Sequence, residues 1–247
     1  MQSSLLGIIS AVLSVFVAIL VEGASLRSFF HLPAFLLIVG GTIGVTIASF
    51  KMMHIGNAIA SLRSFLVPDK EIDLKVTFFK FWEKARKEGL LSLEEEAKRL
   101  ADPFLQKGIQ LIVDGSDPRT IEDILIEALE EQEKKELKTA KVFETAAGFS
   151  PTIGIIGTVL GLVSVLENLE GGTKALGQGI ATAFIATFYG ISFANLILLP
   201  ISNQLKVRCR LASNRRHAIL RGVLSLQSGE NRRILAERIE PFIDSDD

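Results

Sequence analysis

Only one cysteine, one tryptophan and one tyrosine occur among the 247 residues, with three histidines and seven prolines. A lone Cys209 excludes a disulfide framework and a thiolate metal cluster, and it gives no sign of an oxidising compartment. His31, His54 and His217 are scattered rather than spaced as ligands, so each reads as an interfacial or surface residue. No phosphate-binding glycine loop with a lysine occurs, nor a pair of acids inside an apolar run, so neither an enzyme nor a cofactor is expected. The polar middle of the chain has no alternating strand pattern. Over long stretches the scarcest feature is charge.

Residues 1–21, 28–50, 145–166 and 175–205 contain no Asp, Glu, Lys or Arg, in runs of 21, 23, 22 and 31 residues. They hold 97 residues and none of the 27 basic or 28 acidic groups. Each meets the roughly 20 residues that a helix needs to cross a hydrocarbon core of about 30 Å. Four transmembrane helices are therefore predicted. The first lacks the basic leader and small-x-small cleavage site of a secretory signal, and a second span follows almost at once.

The basic residues orient these spans. The loops at 21–28 and 167–175 carry only Arg27 and Lys174, whereas 51–141 holds 16 Lys and Arg and 206–238 holds nine. The positive-inside bias puts both termini and the long middle segment in the cytoplasm. The fold class is thus an all-α membrane protein in four segments. Residues 1–50 form the first two spans, 51–144 a helical cytoplasmic domain, 145–205 the third and fourth spans, and 206–247 a cytoplasmic helical tail. Within the cytoplasmic part, Val67-Pro68-Asp69 reads as a turn, Gly89 as a break, and Asp117-Pro118 as an N-cap followed by proline at N1. Ile121, Ile124, Leu125, Ala128 and Leu129 recur at helical spacing, and the highly charged 130–138 reads as a solvated face of a helix that feeds the third span. Ser228-Gly229-Glu230-Asn231 reads as a late hinge before a short helix ending near Pro241.

In the third span Gly154, Gly157, Thr158 and Gly161 fall within about 100° on a helical wheel. Gly179, Ala183, Thr187, Gly190 and Ala194 of the fourth cluster within about 80° by the same arithmetic. Small residues let helices approach closely in lipid, which is one account of both stripes. A threonine hydroxyl can be satisfied by the carbonyl four residues earlier. Two threonines on small-residue faces of adjacent spans also fit a polar path. No acid, base or histidine lies in either span, so an ion crossing here needs a carboxylate from a partner chain, and a self-sufficient transporter is disfavoured. Pro151 and Pro200 lie near the cytoplasmic ends of these spans. They either bend the helices at the same depth or merely mark where the chain enters and leaves the bilayer.

The run Pro151-Thr152-Ile153-Gly154-Ile155-Ile156-Gly157-Thr158-Val159-Leu160-Gly161-Leu162, then Thr187-Phe188-Tyr189-Gly190, Ala194-Asn195 and Pro200, resembles the MotA/PomA family of flagellar stator A subunits. Pro33, Gly40-Gly41-Thr42 and Gly44, with Gln106-Lys107-Gly108 and Val113-Asp114-Gly115, extend the resemblance over nearly the whole chain. It implies an ion-conducting torque generator of the bacterial inner membrane. Several A subunits, a pentamer, surround a dimer of B subunits of MotB/PomB type, which are anchored to peptidoglycan and whose transmembrane aspartate binds the ion. It further implies that Thr158 and Thr187 line the ion path with Tyr189 beside it, that Pro151 and Pro200 couple ion passage to the cytoplasmic domain, and that the partner in rotation is the rotor switch protein FliG. No cofactor beyond the transported ion and no nucleic acid is expected.

The family's rotor-facing charges fall on the stretch 84–96, where Arg86, Lys87, Glu94 and Glu95 are the rotor candidates. Sequence physics offers a helix-end reading of the same residues. Arg86 and Lys87 precede Gly89 as at a helix C-terminus, and Ser92-x-x-Glu95 has the form of a capping box with Glu94 in the first turn. A threonine at both positions 158 and 187 resembles sodium-type stators, and several oxygens suit Na⁺ where a proton needs only a carboxylate and water. An ExbB/TolQ-like proton-driven transducer shares the Gly-x-x-Gly-Thr type of span but has its large loop after one span, not two. A solute transporter, or a scaffold binding anionic lipid through the basic stretch 206–216, are the remaining alternatives.

Overall fold

The computed structural model describes residues 2–23, 25–62, 72–167 and 172–243. These are helical, with no strand among them. In chain order they form α1 (Gln2–Val21), a 3-10 turn (Leu26–Phe29), α2 (Leu32–Ser49), α3 (Met52–Leu62), α4 (Leu74–Glu88) and a second 3-10 turn (Leu90–Leu93). Then follow α5 (Glu94–Lys98), α6 (Pro103–Val113), α7 (Pro118–Glu167), α8 (Gly172–Ser192), a π-helical segment (Phe193–Leu198), α9 (Leu199–Gln227) and α10 (Arg232–Ile243). The chain divides into two compact units. One comprises Met1–Pro68 and Leu137–Lys206, the other Asp69–Glu136 and Val207–Asp247. The turn expected at Val67-Pro68-Asp69 lies outside the described residues.

The first unit is built from the apolar runs. Three helices are long and apolar enough to cross a membrane among the described residues: Leu32–Ser49 and runs within Pro118–Glu167 and Leu176–Gln227, with Leu6–Val21 a shorter apolar helix. In such helices every backbone group is satisfied within the element, which is why apolar sequence without charge takes this form in lipid. Helix α2 starts where His31 Nδ1 accepts from the Ala34 amide at 3.3 Å, with Pro33 in the first turn. The fourth charge-free run departs from a simple span. It passes through the π-helical segment, where the Leu199 amide reaches back to the Ala194 carbonyl, and then continues in α9 to Gln227. Pro200 supplies a physical reason: it has no N–H to offer the carbonyl four residues earlier, so bonding in the preceding turn must shift.

The second unit has a core of its own. Phe78, Leu93, Leu105, Ile109, Ile121, Leu125, Ile219, Val223, Leu235 and Ile239 are buried in one cluster, drawn from α4, the second 3-10 turn, α6, α7, α9 and α10. Each such side chain contributes about 1.5–3 kcal/mol when withdrawn from water. Three helix starts are capped by aspartates at the expected kind of position: Asp73 accepts from Val76, Asp102 from Phe104 and Leu105, and Asp117 from Arg119 and Thr120. The Thr120 hydroxyl and these amides hold the Asp117 carboxyl below its ordinary value. Gly89 ends α4 at φ 84°, a conformation that needs glycine.

One expectation needs correction. Ser92 does not form a capping box with Glu95. Its hydroxyl donates back to the Gly89 carbonyl at 2.7 Å, because residues 90–93 make a 3-10 turn, and α5 starts after Leu93 without a side-chain cap. The last helix ends near Pro241 as expected, two residues past it at Ile243; so close to the helix end proline removes little of the bonding. The highly charged run 130–138 is mostly exposed, as its composition implies, with Glu133 and Glu136 half-buried. Arg216 pairs with Glu136 and Ser213 donates to Glu133 at 3.1 Å. Arg215 reaches the Ile72 carbonyl at 3.0 Å, so part of the basic stretch 206–216 is engaged within this unit rather than free for lipid. Cys209 is buried beside these acids. Burial, then Glu136 and Glu133, push its thiol up to about 12, which leaves it protonated and unreactive.

Candidate functional site

Helices α7 and α8 approach almost backbone to backbone along the small-residue stripes. A Cβ on Gly161 would stand 2.9 Å from the Ala183 backbone, and on Gly157 2.6 Å from the Ala183 neighbour one turn on, Ala186. On Gly154 it would meet the Ala186 carbonyl at 3.2 Å and Thr187 Cα at 3.3 Å. Gly179 faces Val165 in the same seam, and Ala194 is buried against Ala146, Ala147 and Leu198. Only residues without bulk at these positions permit such a seam.

The two threonines meet inside it. The Thr158 hydroxyl is hydrogen-bonded to that of Thr187 and lies 3.1 Å from the Gly154 carbonyl and 3.2 Å from the Ala183 carbonyl. Four oxygens, two hydroxyl and two carbonyl, thus gather at one half-buried point between α7 and α8. Tyr189 is placed by other contacts. Its hydroxyl donates to the Phe29 carbonyl and accepts from the His31 amide at 3.2 Å, while Phe35 and Phe188 stand edge-on or tilted to its ring.

Sequence reasoning missed His31. Its Nδ1 accepts at the α2 cap, which leaves the other nitrogen to donate, and Nε2 lies 3.2 Å from the Thr182 hydroxyl; Thr182 in turn donates to the Gln178 carbonyl at 2.9 Å. The histidine therefore ties the start of α2 to α8. Two buried serines were missed as well. Ser150, next to Pro151, donates to the Gly190 carbonyl at 2.9 Å, and Ser202, two residues after Pro200, donates to the Ala140 carbonyl at 2.9 Å. These bonds bracket the π-helical segment, one on each side. No periodicity marks a single serine, so the one available signal is a serine beside each proline.

The second group of candidates lies in the other unit. Arg86 and Lys87 occupy the last turn of α4, while Glu94 and Glu95 open α5, so both pairs favour the helix dipoles at their ends. Arg86 stacks on Trp82 with its guanidinium carbon 5.2 Å from the ring centroid. Lys87 pairs with Glu83 at 2.8 Å; this hydrogen bond raises the lysine's pKa and lowers the glutamate's. Lys98 reaches Glu94 at 2.9 Å and Glu95 at 3.8 Å. Exposed pairs of this kind add little stability and can be exchanged for a partner's charges.

Comparison with known proteins covers both groups. The model of the MotA/TolQ/ExbB proton channel family matches residues 96–218. Motility protein A of Bacillus subtilis is 30% identical over 249 residues, spanning 100% of this chain and 92% of the relative. Chemotaxis protein PomA of Vibrio alginolyticus is 32% identical over 243 residues, spanning 98% and 94%. The flagellar MotAB stator complex from Bacillus subtilis contains a chain that superposes with a TM-score of 0.90 at 30% identity, covering 97% of this chain and 95% of that one.

Proposed function

Because this chain belongs to the MotA/PomA family of flagellar motor stator A subunits, we propose that with a B subunit it conducts sodium in preference to protons and converts the flow into torque on the rotor. The observation that carries the ion reading is the cluster of Thr158 and Thr187 hydroxyls with the Gly154 and Ala183 carbonyls. Sodium favours several hard oxygen ligands, and these groups supply them without supplying charge. The compensating carboxylate is the transmembrane aspartate of the MotB/PomB-type partner. Tyr189 stands beside the path, and Pro151 and Pro200 couple ion passage to the cytoplasmic part. Four spans with both termini in the cytoplasm follow the distribution of basic residues. Residues 1–50 and 145–205 occupy the inner membrane, with 51–144 and 206–247 facing the cytoplasm. Five copies around a B dimer form the working unit.

The test is rotation of tethered cells that lack their own stators, given this chain with a matching B subunit, in sodium and then potassium buffer at fixed pH. Rotation stops when sodium is replaced. Equal rotation in both buffers would make the motor proton-driven and reduce Thr158 to a packing residue. Thr158→Val exchanges one of the four oxygens for a methyl group at nearly constant volume, so it raises the sodium concentration needed for half-maximal speed several-fold without preventing assembly; an unchanged sodium titration rejects the role.

Arg86, Lys87, Glu94 and Glu95 meet the rotor switch protein FliG in this reading. Their exposure and helix-end positions leave them available for charge steering and register more than for affinity. Arg86→Glu is expected to cut rotation severely at normal membrane level, with recovery when an acid on the rotor is replaced by lysine. Normal swimming of the variant would leave Arg86 only its helix-end role.

A further inference from the structure

Several hydroxyls of the apolar helices turn back on their own helix. Ser10 and Ser14 donate to the carbonyls three residues earlier, and Thr46 and Ser49 to those four residues earlier. A hydroxyl satisfied in this way joins its helix to nothing else. Ser150 and Ser202 behave differently. Both are fully buried, and each donates to a carbonyl of a facing helix: Ser150 of α7 to Gly190 of α8, and Ser202 of α9 to Ala140 of α7, both at 2.9 Å. All four residues belong to the first unit.

The two bonds clamp one element at both ends. Between Gly190 and Ser202 lie the π-helical segment and Pro200, where the fourth charge-free run departs from α-helical bonding. Ala194 and Leu198 of that segment are buried against Ala146 and Ala147, which lie between Ala140 and Ser150 on α7. The Asn195 side-chain amide donates to the Ile191 carbonyl at 2.9 Å, so side chains serve the carbonyls of both 190 and 191, just ahead of the segment. Twelve residues separate the two bonded positions on this run, against ten on α7. A π turn packs one residue more than an α turn, which takes up part of that difference and lets both bonds form at once. One end of the clamp adjoins the oxygen cluster: Gly190 follows Thr187 by one turn, and Ser150 precedes Gly154 by one turn. At the other end, one turn beyond Ser202, Lys206 pairs with Glu144 at 3.1 Å. Within lipid no water stands ready to replace a hydroxyl bond between helices, so helices joined by one move together over small displacements.

We propose that Ser150 and Ser202 are positioning residues of the coupling step. They hold the π-helical segment and Pro200 to α7, so that a displacement begun at the Thr158–Thr187 pair carries α7 and the start of α9 together instead of being absorbed as a local bend at Pro200. This rests on the stator reading and on the coupling role given above to Pro151 and Pro200. Neither serine hydroxyl belongs to the oxygen cluster. Losing either one therefore changes the torque drawn from the ion flow and not the affinity for the ion.

The experiment follows a bead on a single motor at high load, in cells lacking their own stators, while the intact A–B complex is expressed gradually and speed rises in steps. Step height gives the torque of one stator unit, and step number gives the units assembled. Ser150→Ala and Ser202→Ala each lower step height about twofold or more, the scale of a lost hydroxyl bond between helices. Step number, and the concentration of the driving ion that gives half-maximal speed, stay near those of the unsubstituted complex. The double variant falls no lower than the weaker single one, because releasing either end frees the same segment. Ser49→Ala is the control, since that hydroxyl serves its own helix at Val45; its steps keep full height. Full step height in both single variants, an equal loss in Ser49→Ala, or losses that multiply in the double variant overturn the proposal and leave the stator reading standing. So does a loss confined to step number, which is what a merely structural bond predicts. If the unsubstituted complex gives no steps, the stator reading falls and the proposal with it. Should Ser202→Ala not assemble, Ser202→Cys decides, because a thiol is a far weaker donor on a similar frame: lowered steps support the clamp, and full steps overturn it.

Discussion

Gly190→Ala abolishes rotation. A single added methyl would place its carbon 2.7 Å from the Ser150 carbonyl oxygen, 3.2 Å from Gly154 Cα and 3.3 Å from Pro151 Cα. All three are backbone atoms, so no side-chain rotation relieves the contact, and α7 must move away from α8. That movement also strains the Ser150 bond to the Gly190 carbonyl and the hydroxyl pair of Thr158 and Thr187, which depend on the same seam. The matched control is Gly44→Ala, where the new methyl has nothing within 4 Å. Swimming in soft agar, with chromatography of the solubilised complex, separates the outcomes. A Gly190→Ala variant that assembles and swims like the Gly44→Ala control would show that the two helices are not in tight contact.

Phe78→Ala is expected to unfold the second unit. Phe78 is completely buried, meets Phe81 edge-on at 6.3 Å between ring centroids, and presses its ring against Gly222. Truncating a buried phenylalanine costs about 3–5 kcal/mol through lost transfer energy and the cavity left behind. A domain of ordinary stability holds about 5–15 kcal/mol in all. Loss of motility should therefore accompany a lower melting temperature of the purified protein, followed by far-ultraviolet circular dichroism. Conversely, Gly222→Ala offends the same ring from the other side, since its methyl would come within 2.5 Å of Phe78 Cζ. Unchanged melting in Phe78→Ala would refute the buried position on which both expectations rest.

How much of this was legible before any coordinates depended on whether a feature is local. Charge-free runs announced the apolar helices because charge in lipid is prohibitive, and Asp117-Pro118 announced the start of α7 because an N-cap and a proline at N1 act within one turn. The stripes containing Thr158 and Thr187 could be drawn on helical wheels, yet their meeting required knowing that α7 and α8 pack through those faces. The same holds for the helical tail, whose Ile219, Val223, Leu235 and Ile239 join the core around Phe78. The two contacts of His31 were hidden for another reason: an isolated histidine carries no pattern that assigns its two nitrogens separate partners. The capping-box pattern at Ser92 failed because a short 3-10 turn consumed the serine's hydroxyl first.

The π-helical segment at Phe193–Leu198 fixes how sequence length maps onto rotational phase in this part of the chain. A π turn carries one residue more than an α turn, so removing one residue there would leave the downstream helix with the same angular setting, and Ser202 would still point at Ala140. The same deletion in the regular α-helix on either side would swing every later side chain by about 100° and aim Ser202 elsewhere. Among relatives of this chain, a one-residue gap in alignment is thus silent inside residues 193–198 and disruptive beside them.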